Sequence, residues 1–323
     1  MPILVTGASG FVGRRLTHRL LEGGEEVRIL TRSLDRVPLE WRGKLDVVEG
    51  DVVDPAAQER ALKRVSTVFN LAGAIHDVAA MSAVNVDAVR LMLDIAVRSG
   101  VEKIVHLSSV GVVGATGRRT VTEEAPCQPK SEYERTKLRG EELVLEAGRS
   151  GNVGVVVIRP TTIFGEGTSP LRDSLLGWLR TVQRGQFRFI GHNGIANYIY
   201  VEDVADVVLR LAAIRNLPSR LWHVADPTPM RDFVAAMADS LGVPAPNRSL
   251  PLWGAYAVGT ALELANRLAG TPAPLTRSRV RALSSETTFS GQKIASLGVG
   301  VQFGYQLGLR RTVEWYRSIG RLP

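Results

Sequence analysis

The stretch that decides the fold is residues 3–16, which read ILVTGASGFVGRRL. The apolar run from Ile3 to Thr6 predicts a buried strand, and the residues from Gly13 onward predict a helix. Between them, Gly7 is expected to turn the chain tightly, and Gly10 to let the backbone approach a pyrophosphate. Gly13 is expected to let the helix pack against the sheet, and the helix N-terminus offers N–H groups to phosphates. We therefore predict a dinucleotide site here rather than a purely structural glycine turn.

The strand–helix rhythm of this stretch continues through the first two thirds of the chain. Short β-branched runs alternate with longer helical patterns, which is typical of an α/β protein with a doubly wound parallel sheet. The predicted strands are Ile3–Thr6, Glu26–Thr31, Leu45–Glu49, Thr67–Asn70, Lys103–Leu107 and Val153–Arg159. The predicted helices lie around Gly13–Glu22, Ala56–Arg64, Ala80–Gly100 and Ser131–Gly148.

The rhythm breaks after Pro160, where Gly and Pro become frequent. A helix pattern at Val204–Ala213 and a strand pattern at Leu221–Ala225 indicate a return to the same sheet. We therefore predict a dinucleotide-binding domain of residues 1–160, with return segments at about 196–226. A smaller, interleaved C-terminal substrate domain then comprises residues 161–195 and 227–323.

The charge balance and the scarce metal-binding residues exclude several classes of protein. The chain has 40 Lys and Arg against 32 Asp and Glu, but the excess is scattered, without basic runs or interleaved aromatic residues, so we expect no nucleic-acid partner. Cys127 is the only cysteine, which rules out a disulfide framework, and we interpret it as a small side chain without a chemical role. We expect no metal site, because four of the five histidines are too scattered to form one: His76, His106, His192 and His223.

The chain is expected to be cytoplasmic, because the first strand follows Met1-Pro2 directly and leaves no room for a signal peptide. The least polar stretch runs from Leu252 to Leu262 and is too short to span a bilayer. A core helix or pocket wall is the favoured interpretation of this stretch. A surface that touches a membrane is the alternative.

The end of the second strand bears on the choice of cofactor. NAD-binding chains usually place an acidic residue there, which accepts hydrogen bonds from the ribose hydroxyls. Here the strand ends Ile29-Leu30-Thr31-Arg32-Ser33, without an acid, and Arg36 follows. A 2′-phosphate pairs well with an arginine. The sequence therefore favours NADP(H), with NAD(H) as the alternative and solvated loop charges as the non-functional interpretation of the arginines.

The segment Tyr133-Glu-Arg-Thr-Lys137 places a phenol and an amine four residues apart. On a helix these two side chains share one face, one turn apart. A phenol with an ordinary pKa of about 10 is a poor proton donor and acceptor near neutrality. A neighbouring ammonium favours the phenolate, so we expect Lys137 to lower the pKa of Tyr133.

Taken with further blocks in the same order, these motifs resemble the extended short-chain dehydrogenase/reductase family, also called the NAD-dependent epimerase/dehydratase group. The blocks are TGASGFVG (6–13), GDVVD (50–54), NLAG (70–73), Asn85, HLSSVGVVG (106–114), YERTK (133–137), RPTTIFGEG (159–167) and YIYVEDVA (198–205). The resemblance weakens after about residue 226. It implies a Rossmann fold and hydride transfer at a nicotinamide.

The resemblance implies four catalytic residues. Tyr133 is the general acid/base, Lys137 holds the nicotinamide ribose, and Ser109 hydrogen-bonds the substrate oxygen. Asn85 supports the active-site network or, alternatively, caps the helix that follows. For Ser108 and Ser109 the alternative is that they only form a turn. The predicted cofactor-binding residues are Gly7, Ser9, Gly10, Phe11, Val12, Gly13, Thr31, Arg32, Arg36, Asp51, Val52, Leu71, Ala72, Gly73, Ser108, Tyr133, Lys137, Pro160, Thr161, Thr162 and Ile163.

Two departures from the family pattern bear on the substrate. Thr162 stands where epimerases and dehydratases of sugar nucleotides usually have an asparagine, and Ala196-Asn197 replaces an arginine that binds their diphosphate. The apolar stretch at 251–270 also resembles the lid of an apolar pocket. We favour the branch of 3β-hydroxysteroid dehydrogenases and dihydroflavonol reductases, hence an alcohol/ketone oxidoreductase acting on a fairly apolar small molecule.

Two further hypotheses stay open. One is a nucleotide-sugar epimerase, dehydratase or reductase with a retained cofactor, and the other is a non-catalytic dinucleotide sensor. A homodimer is expected by analogy, because Arg98, Arg135 and Arg139 lie on the two helices that pair in dimers of related proteins.

Overall fold

The computed structural model describes residues 1–114, 117, 119–169, 173–191, 193–269 and 276–323. The strands are β1 Ile3–Thr6, β2 Val27–Thr31, β3 Asp46–Glu49, β4 Thr67–Asn70, β5 Lys103–Leu107, β6 Thr120–Val121, β7 Gly154–Pro160, β8 Thr162–Phe164, β9 Phe189–Ile190, β10 Ile195–Ala196, β11 Tyr198–Tyr200, β12 Leu221–Val224, β13 Thr228–Pro229, β14 Ser249–Leu250 and β15 Thr288–Phe289. His192 and Gly270, which the sequence interpretation includes, lie outside the described residues.

The α-helices are α1 Phe11–Glu22, α2 Pro55–Leu62, α3 Val78–Ser82, α4 Ala88–Arg98, α5 Glu132–Arg149, α6 Ser174–Gln183, α7 Val201–Ala213, α8 Met230–Leu241, α9 Leu252–Ala269, α10 Arg277–Leu283, α11 Gln292–Ala295 and α12 Gly304–Ser318. Short 3₁₀ turns occupy Leu34–Arg36, Leu39–Trp41 and Val110–Val113. No helix in the described part of the chain is long and apolar enough to cross a bilayer.

Seven strands form one parallel sheet in the order β12-β7-β5-β4-β1-β2-β3. The order reverses beside β1, so that β1 pairs with β2 on one side and with β4 on the other. In an open α/β sheet, ligands bind outside the carboxyl ends of the strands at such a reversal. The predicted α/β class and doubly wound parallel sheet are confirmed, and each of the predicted strands occurs within two residues of its expected bounds.

Apolar residues cover both faces of this sheet. On one face, Leu16 of α1 and Val204 of α7 pack with Ile29 and Val156, and this core continues into α6, α8 and α12. On the other face, Leu62 of α2, Met92 of α4 and Val144 of α5 pack on the sheet. Helices on both faces explain why the strands read as continuous apolar runs.

The remaining strands form pairs outside the main sheet. They are β8 with β11, β9 with β14, β10 with β13, and β6 with β15. The last pair joins Thr120-Val121, which follow β5 in the chain, to Thr288-Phe289 of the C-terminal region. Segments remote in sequence therefore interleave around the carboxyl ends of the sheet. The division into two domains at 160, 196 and 226 stays a prediction.

One predicted helix differs in its interior. The residues predicted as Ala80–Gly100 form α3 and α4 with a π-helical turn, Ala83–Asp87, between them. A π turn contains an i→i+5 step that hydrophobic periodicity does not reveal, and such turns are frequent at functional sites. Asn85 lies at the centre of this turn.

Candidate active site

A cleft of about 520 Å³ opens at the carboxyl ends of β1, β4, β5 and β7. It therefore occupies the place where the strand order of the sheet predicts a ligand. Its lining consists of Gly7, Gly10, Phe11, Val12, Gly13, Leu71, Ala72, Gly73, Ile75, His76, Leu107, Ser108, Ser109, Tyr133, Lys137, Pro160, Thr161, Thr162, Ile163, Thr168 and Ser169.

The glycine loop forms one wall of the cleft through close backbone contacts. Gly7 has a φ of +70°, and a Cβ there would lie 2.7 Å from the backbone nitrogen of Ala72. A Cβ on Gly13 would lie 2.1 Å from the carbonyl oxygen of Gly7. Both positions therefore exclude every side chain, and they bring α1, β1 and the loop after β4 together.

The N-terminus of α1 faces this cleft without a capping side chain. Its N-cap is Gly10, and its first turn contains no acidic residue. By contrast, α2 and α6 begin with capping carboxylates, those of Asp54 and Asp173. The N–H groups and the positive dipole end of α1 are thus left open to an anion.

Tyr133 lies in the first turn of α5, where a capping box fixes the start of the helix through Ser131 and Glu134. Tyr133 and Ser109 both line the cleft, and the Ser109 hydroxyl accepts a 3.1 Å hydrogen bond from the nitrogen of Gly111. Burial raises the pKa of Tyr133; the Ser109 side chain acts in the opposite direction, and the charge of Glu134 raises the pKa further. The pKa of Tyr133 is therefore raised, whereas the sequence led us to expect a lowered one.

Lys137 explains this difference. Its Nζ donates a 2.6 Å hydrogen bond to the carbonyl oxygen of Leu107, at the end of β5. The side chain is buried, and burial lowers the pKa of Lys137 to about 8, with Glu141 acting to raise it. The ammonium is thus directed at a backbone carbonyl, and Lys137 is not among the groups that shift the pKa of Tyr133.

Asn85 joins the loop after β4 to the helix that carries Tyr133. Its amide accepts from the nitrogen of Ala74 and donates to the oxygen of Ala74, both at 2.9 Å. It also donates to the Thr136 hydroxyl at 3.1 Å. Since Asn85 makes no cap at the start of α4, the alternative of a helix cap is wrong. A Cβ on Gly140 would lie 2.2 Å from the backbone carbonyl oxygen of Asn85, so this glycine permits the close approach of α5 to the π-helical turn.

The glycine cradle, the open helix end and the Ser109–Tyr133 pair agree with the comparisons with known proteins. The model of the NAD dependent epimerase/dehydratase family matches residues 3–225. This chain belongs to that family. It is accordingly an enzyme of the oxidoreductase/epimerase group that binds a nicotinamide dinucleotide.

Two curated relatives and one solved structure illustrate the range of this family. The chain is 29% identical to the 3beta-hydroxysteroid-dehydrogenase/decarboxylase isoform 2 of Arabidopsis thaliana over 98% of this chain, and it spans 62% of that relative's length. It is 26% identical to the N-acetyl-alpha-D-glucosaminyl-diphospho-ditrans,octacis-undecaprenol 4-epimerase of Escherichia coli O157:H7, over 97% of this chain and 94% of the relative. MoeE5 in complex with UDP-glucuronic acid and NAD superposes with a TM-score of 0.74 at 25% identity, over 99% of this chain and 100% of that chain.

Behind the family's Tyr–Lys pair lies a buried polar network. Glu141 and Arg159 form an ion pair whose side chains are 1% and 3% exposed. Ser108 lines the cleft and donates to the Glu141 carboxylate at 2.6 Å, and its role at the cofactor stays a prediction. Arg159 also donates to the Cys127 sulfur at 3.2 Å, and burial raises the pKa of this thiol.

Six predicted cofactor residues lie outside the lining of the cleft: Ser9, Thr31, Arg32, Arg36, Asp51 and Val52. Arg32 and Arg36 are exposed around the 3₁₀ turn that follows β2. The Asp51 carboxylate accepts from the nitrogen of Val53 at 3.3 Å, and the Val52 carbonyl accepts from Gln58. The roles of these six residues stay predictions.

Five residues of the lining were not named as site residues from the sequence: Ile75, His76, Leu107, Thr168 and Ser169. The last two belong to a loop that is held from outside the cleft, since Arg15 of α1 donates to the Glu166 carbonyl oxygen at 2.7 Å. The Tyr200 hydroxyl donates to the Glu166 carboxylate at 2.9 Å. Glu166 does stand in the RPTTIFGEG block, but its partner in α1 is 151 residues away and no local pattern connects the two.

The helices expected at a dimer interface carry ion pairs on exposed faces. Arg98 pairs with Glu59, Arg135 with Glu132, and Arg139 with Glu142. The homodimer stays a prediction. Among the residues that the structure describes, no group of three or more His, Cys, Asp or Glu side chains is arranged to hold a metal ion.

Proposed function

We propose that this chain is an NADP(H)-dependent oxidoreductase that interconverts an alcohol and a ketone on a fairly apolar substrate, with Tyr133 as general acid/base. The observation that carries the proposal is the convergence of Ser109, Tyr133 and Lys137 on one cleft at the carboxyl end of the sheet, beside the glycine cradle. A phenol and a hydroxyl that converge on one cleft form a suitable site for a substrate oxygen.

The cleft suits a nicotinamide dinucleotide on several structural grounds. The cradle at Gly7 and Gly13 leaves no space for a Cβ, and the start of α1 is open to a pyrophosphate. The Thr161 hydroxyl lines the cleft, is buried and has no hydrogen-bond partner among the described residues. Such a group is costly unless a ligand or water satisfies it. Pro160 to Ile163 would lie along the nicotinamide, with Lys137 holding its ribose.

The protein's own groups then place and move the proton. A bound nicotinamide supplies or accepts the hydride at its C4. Ser109 orients the substrate oxygen, and Tyr133 donates the proton that this oxygen gains in the reduction of a ketone. Because burial raises the pKa of Tyr133, the phenol carries its proton at neutral pH. Asn85 keeps α5 in position through Thr136.

The preference for NADP(H) rests on the two exposed arginines that follow β2. Arg32 and Arg36 flank a turn in which the Ser33 hydroxyl accepts from the nitrogen of Asp35. Neither guanidinium lies within 4.0 Å of a carboxylate among the described residues, so both are available to a 2′-phosphate. The solved neighbour named above was obtained with NAD, which keeps NAD(H) as the alternative.

The apolar substrate is supported by what replaces the diphosphate clamp. Asn197 stands there, and its amide nitrogen is occupied by a 2.7 Å bond to the carbonyl oxygen of Thr287. The Arabidopsis relative is named for a steroid, and the Escherichia coli relative for a polyprenol-linked sugar. A nucleotide-sugar epimerase, dehydratase or reductase with retained cofactor is the second candidate, because MoeE5 was solved with UDP-glucuronic acid. The non-catalytic sensor is least supported, since Ser109, Tyr133 and Lys137 are all retained.

Replacing Tyr133 by Phe tests the catalytic proposal. Loss of the proton donor is expected to lower turnover of ketones in a panel of steroid and other apolar carbonyl compounds by about 10²- to 10⁴-fold. The affinity for the cofactor, measured by fluorescence titration, is expected to stay unchanged. Turnover that survives in Tyr133→Phe would refute the assigned role, and full function of this variant in the cell would favour the sensor.

Calorimetric titration of nucleotide-free protein with NADPH and with NADH tests the cofactor proposal. The double variant Arg32→Ala/Arg36→Ala is expected to lose affinity for NADPH by about 10- to 100-fold, because charge-assisted bonds to the 2′-phosphate disappear. Its affinity for NADH should stay the same. Arg149→Ala, an exposed arginine in the last turn of α5, serves as the control. A preference of the unaltered protein for NADH would overturn the assignment.

A further inference from the structure

The strongest feature outside the cleft is an exposed apolar face on α9. Trp253 is 78% exposed, and Leu252 and Val258 are 45% and 46% exposed. Ala257 and Ala261 lie on the same side of the helix and are also exposed. Exposed apolar residues that occur singly need no explanation, but a contiguous group of them marks a contact surface.

The opposite side of α9 is buried, so the helix is apolar on both sides. Ala255 is fully buried with Val280 of α10 and Ile190 of β9. The hydroxyl of Thr260 has its hydrogen-bond partner within the helix, because it donates to the backbone carbonyl oxygen of Tyr256 at 2.8 Å. From Leu252 to Leu262 the helix therefore presents no charge to its surroundings. A helix that is apolar all round requires an apolar environment on each side.

Arginines surround the beginning of this helix. Arg248 immediately precedes β14, Arg188 immediately precedes its partner β9, and Arg231 donates to the Ser249 hydroxyl at 3.2 Å. Arg281 is exposed on α10, which packs against α9. Among the described residues, no carboxylate lies within 4.0 Å of any of these four guanidinium groups. Positive charge without a carboxylate partner among the described residues thus lies on the elements next to the start of α9.

We propose that this face docks the protein on the surface of an anionic lipid bilayer. Trp253 and Leu252 enter the interfacial region, and the neighbouring arginines meet the acidic headgroups. The helix lies in the plane of the surface, since no helix of the described part can cross a bilayer. A second copy fits less well, because a two-fold contact on this face would bring arginines against arginines.

The inference goes beyond the proposed reaction and does not depend on it. The test is co-sedimentation of the full chain with vesicles of phosphatidylcholine alone and with vesicles that contain phosphatidylglycerol. Binding is expected only with the anionic vesicles, with a blue shift of tryptophan fluorescence as Trp253 leaves water. Leu252→Ser/Trp253→Ser is expected to bind at least about tenfold more weakly, because the buried apolar area is lost. Arg248→Ala/Arg281→Ala is expected to lose about tenfold or more at low salt.

The controls separate a docking surface from general stickiness. Leu39 is 74% exposed on a 3₁₀ turn outside this surface, and Leu39→Ser should bind vesicles as the unaltered protein does. Unchanged cofactor affinity shows that each variant is folded. The proposal is overturned if the unaltered protein ignores anionic vesicles, or if Leu252→Ser/Trp253→Ser binds them equally well. Light scattering that shows a dimer lost in this variant, without vesicle binding, would assign the face to a second copy instead.

Discussion

Different kinds of contact stabilise the interior of the nucleotide-binding half and the interior of the C-terminal half of this molecule. In the first, glycines let backbone meet backbone: a Cβ on Gly13 would lie 2.1 Å from the Gly7 oxygen, and one on Gly140 would lie 2.2 Å from the Asn85 oxygen. In the second, aromatic rings pack on one another. Tyr198 stacks on Phe233 with 5.1 Å between ring centroids, and further rings surround this pair.

This difference explains why one half can be recognised from its sequence and the other cannot. A backbone contact at such a distance admits glycine alone, so the spacing of the glycines records the geometry. A ring contact can be replaced by other apolar pairs of similar volume, so it leaves no fixed pattern. The fold and the cofactor class can therefore be predicted from the sequence, whereas the shape of the substrate pocket cannot.

The largest expected effect tests whether the nucleotide half also depends on charge. Glu141→Gln leaves Arg159 buried without a counter-ion, which is expected to lower the free energy of unfolding by about 3–5 kcal/mol. Chemical denaturation monitored by circular dichroism measures this change. The matched control is Glu142→Gln, whose partner Arg139 is 3.3 Å away on the exposed side of α5. It should cost about 0–1 kcal/mol.

Equal effects of the two variants would contradict this account of the network. In that case the buried pair would contribute no more than an exposed one, and the position of α5 would depend on packing alone. The fixed position of Tyr133 would then rest on Asn85, Thr136 and Gly140 instead.

The next effect tests the backbone contacts directly. In Gly13→Ala the added Cβ overlaps the carbonyl oxygen of Gly7, and α1 must move away from β1. We expect a loss of about 2–3 kcal/mol in stability, because neither backbone atom can yield as a flexible side chain would. Cofactor affinity is expected to fall by about a hundredfold or more, since the N–H groups at the start of α1 would move out of reach of the pyrophosphate. Thermal denaturation and fluorescence titration measure the two effects, and unchanged cofactor affinity would contradict the role of the cradle.

The limits of sequence-based prediction in the site have specific physical causes. The strands, the glycine loop and the Tyr133–Lys137 pair were predictable because each depends on residues close in sequence. The π turn around Asn85 was not, because its hydrogen-bond step differs from helical periodicity. The raised pKa of Tyr133 depends first on burial, which arises only on folding. The loop contact of Glu166 with Arg15 joins segments far apart in the chain.

The smallest effects compare two helical glycines of the C-terminal half. A Cβ on Gly308 of α12 would lie 2.7 Å from the ring of Tyr200, which the Glu166 carboxylate holds in place. Gly308→Ala is therefore expected to cost about 1–2 kcal/mol, because a ring can tilt where a backbone cannot. Gly177 of α6 is exposed and has no atom within 4 Å of a Cβ. Gly177→Ala should stabilise the protein by about 0.5–1 kcal/mol, since alanine restricts the unfolded chain. Thermal denaturation of both variants beside Gly13→Ala ranks the three contacts. A cost at Gly308 equal to that at Gly13 would show that the ring-packed half is as intolerant as the backbone-packed half, and the contrast between them would then lie in the sequence pattern alone.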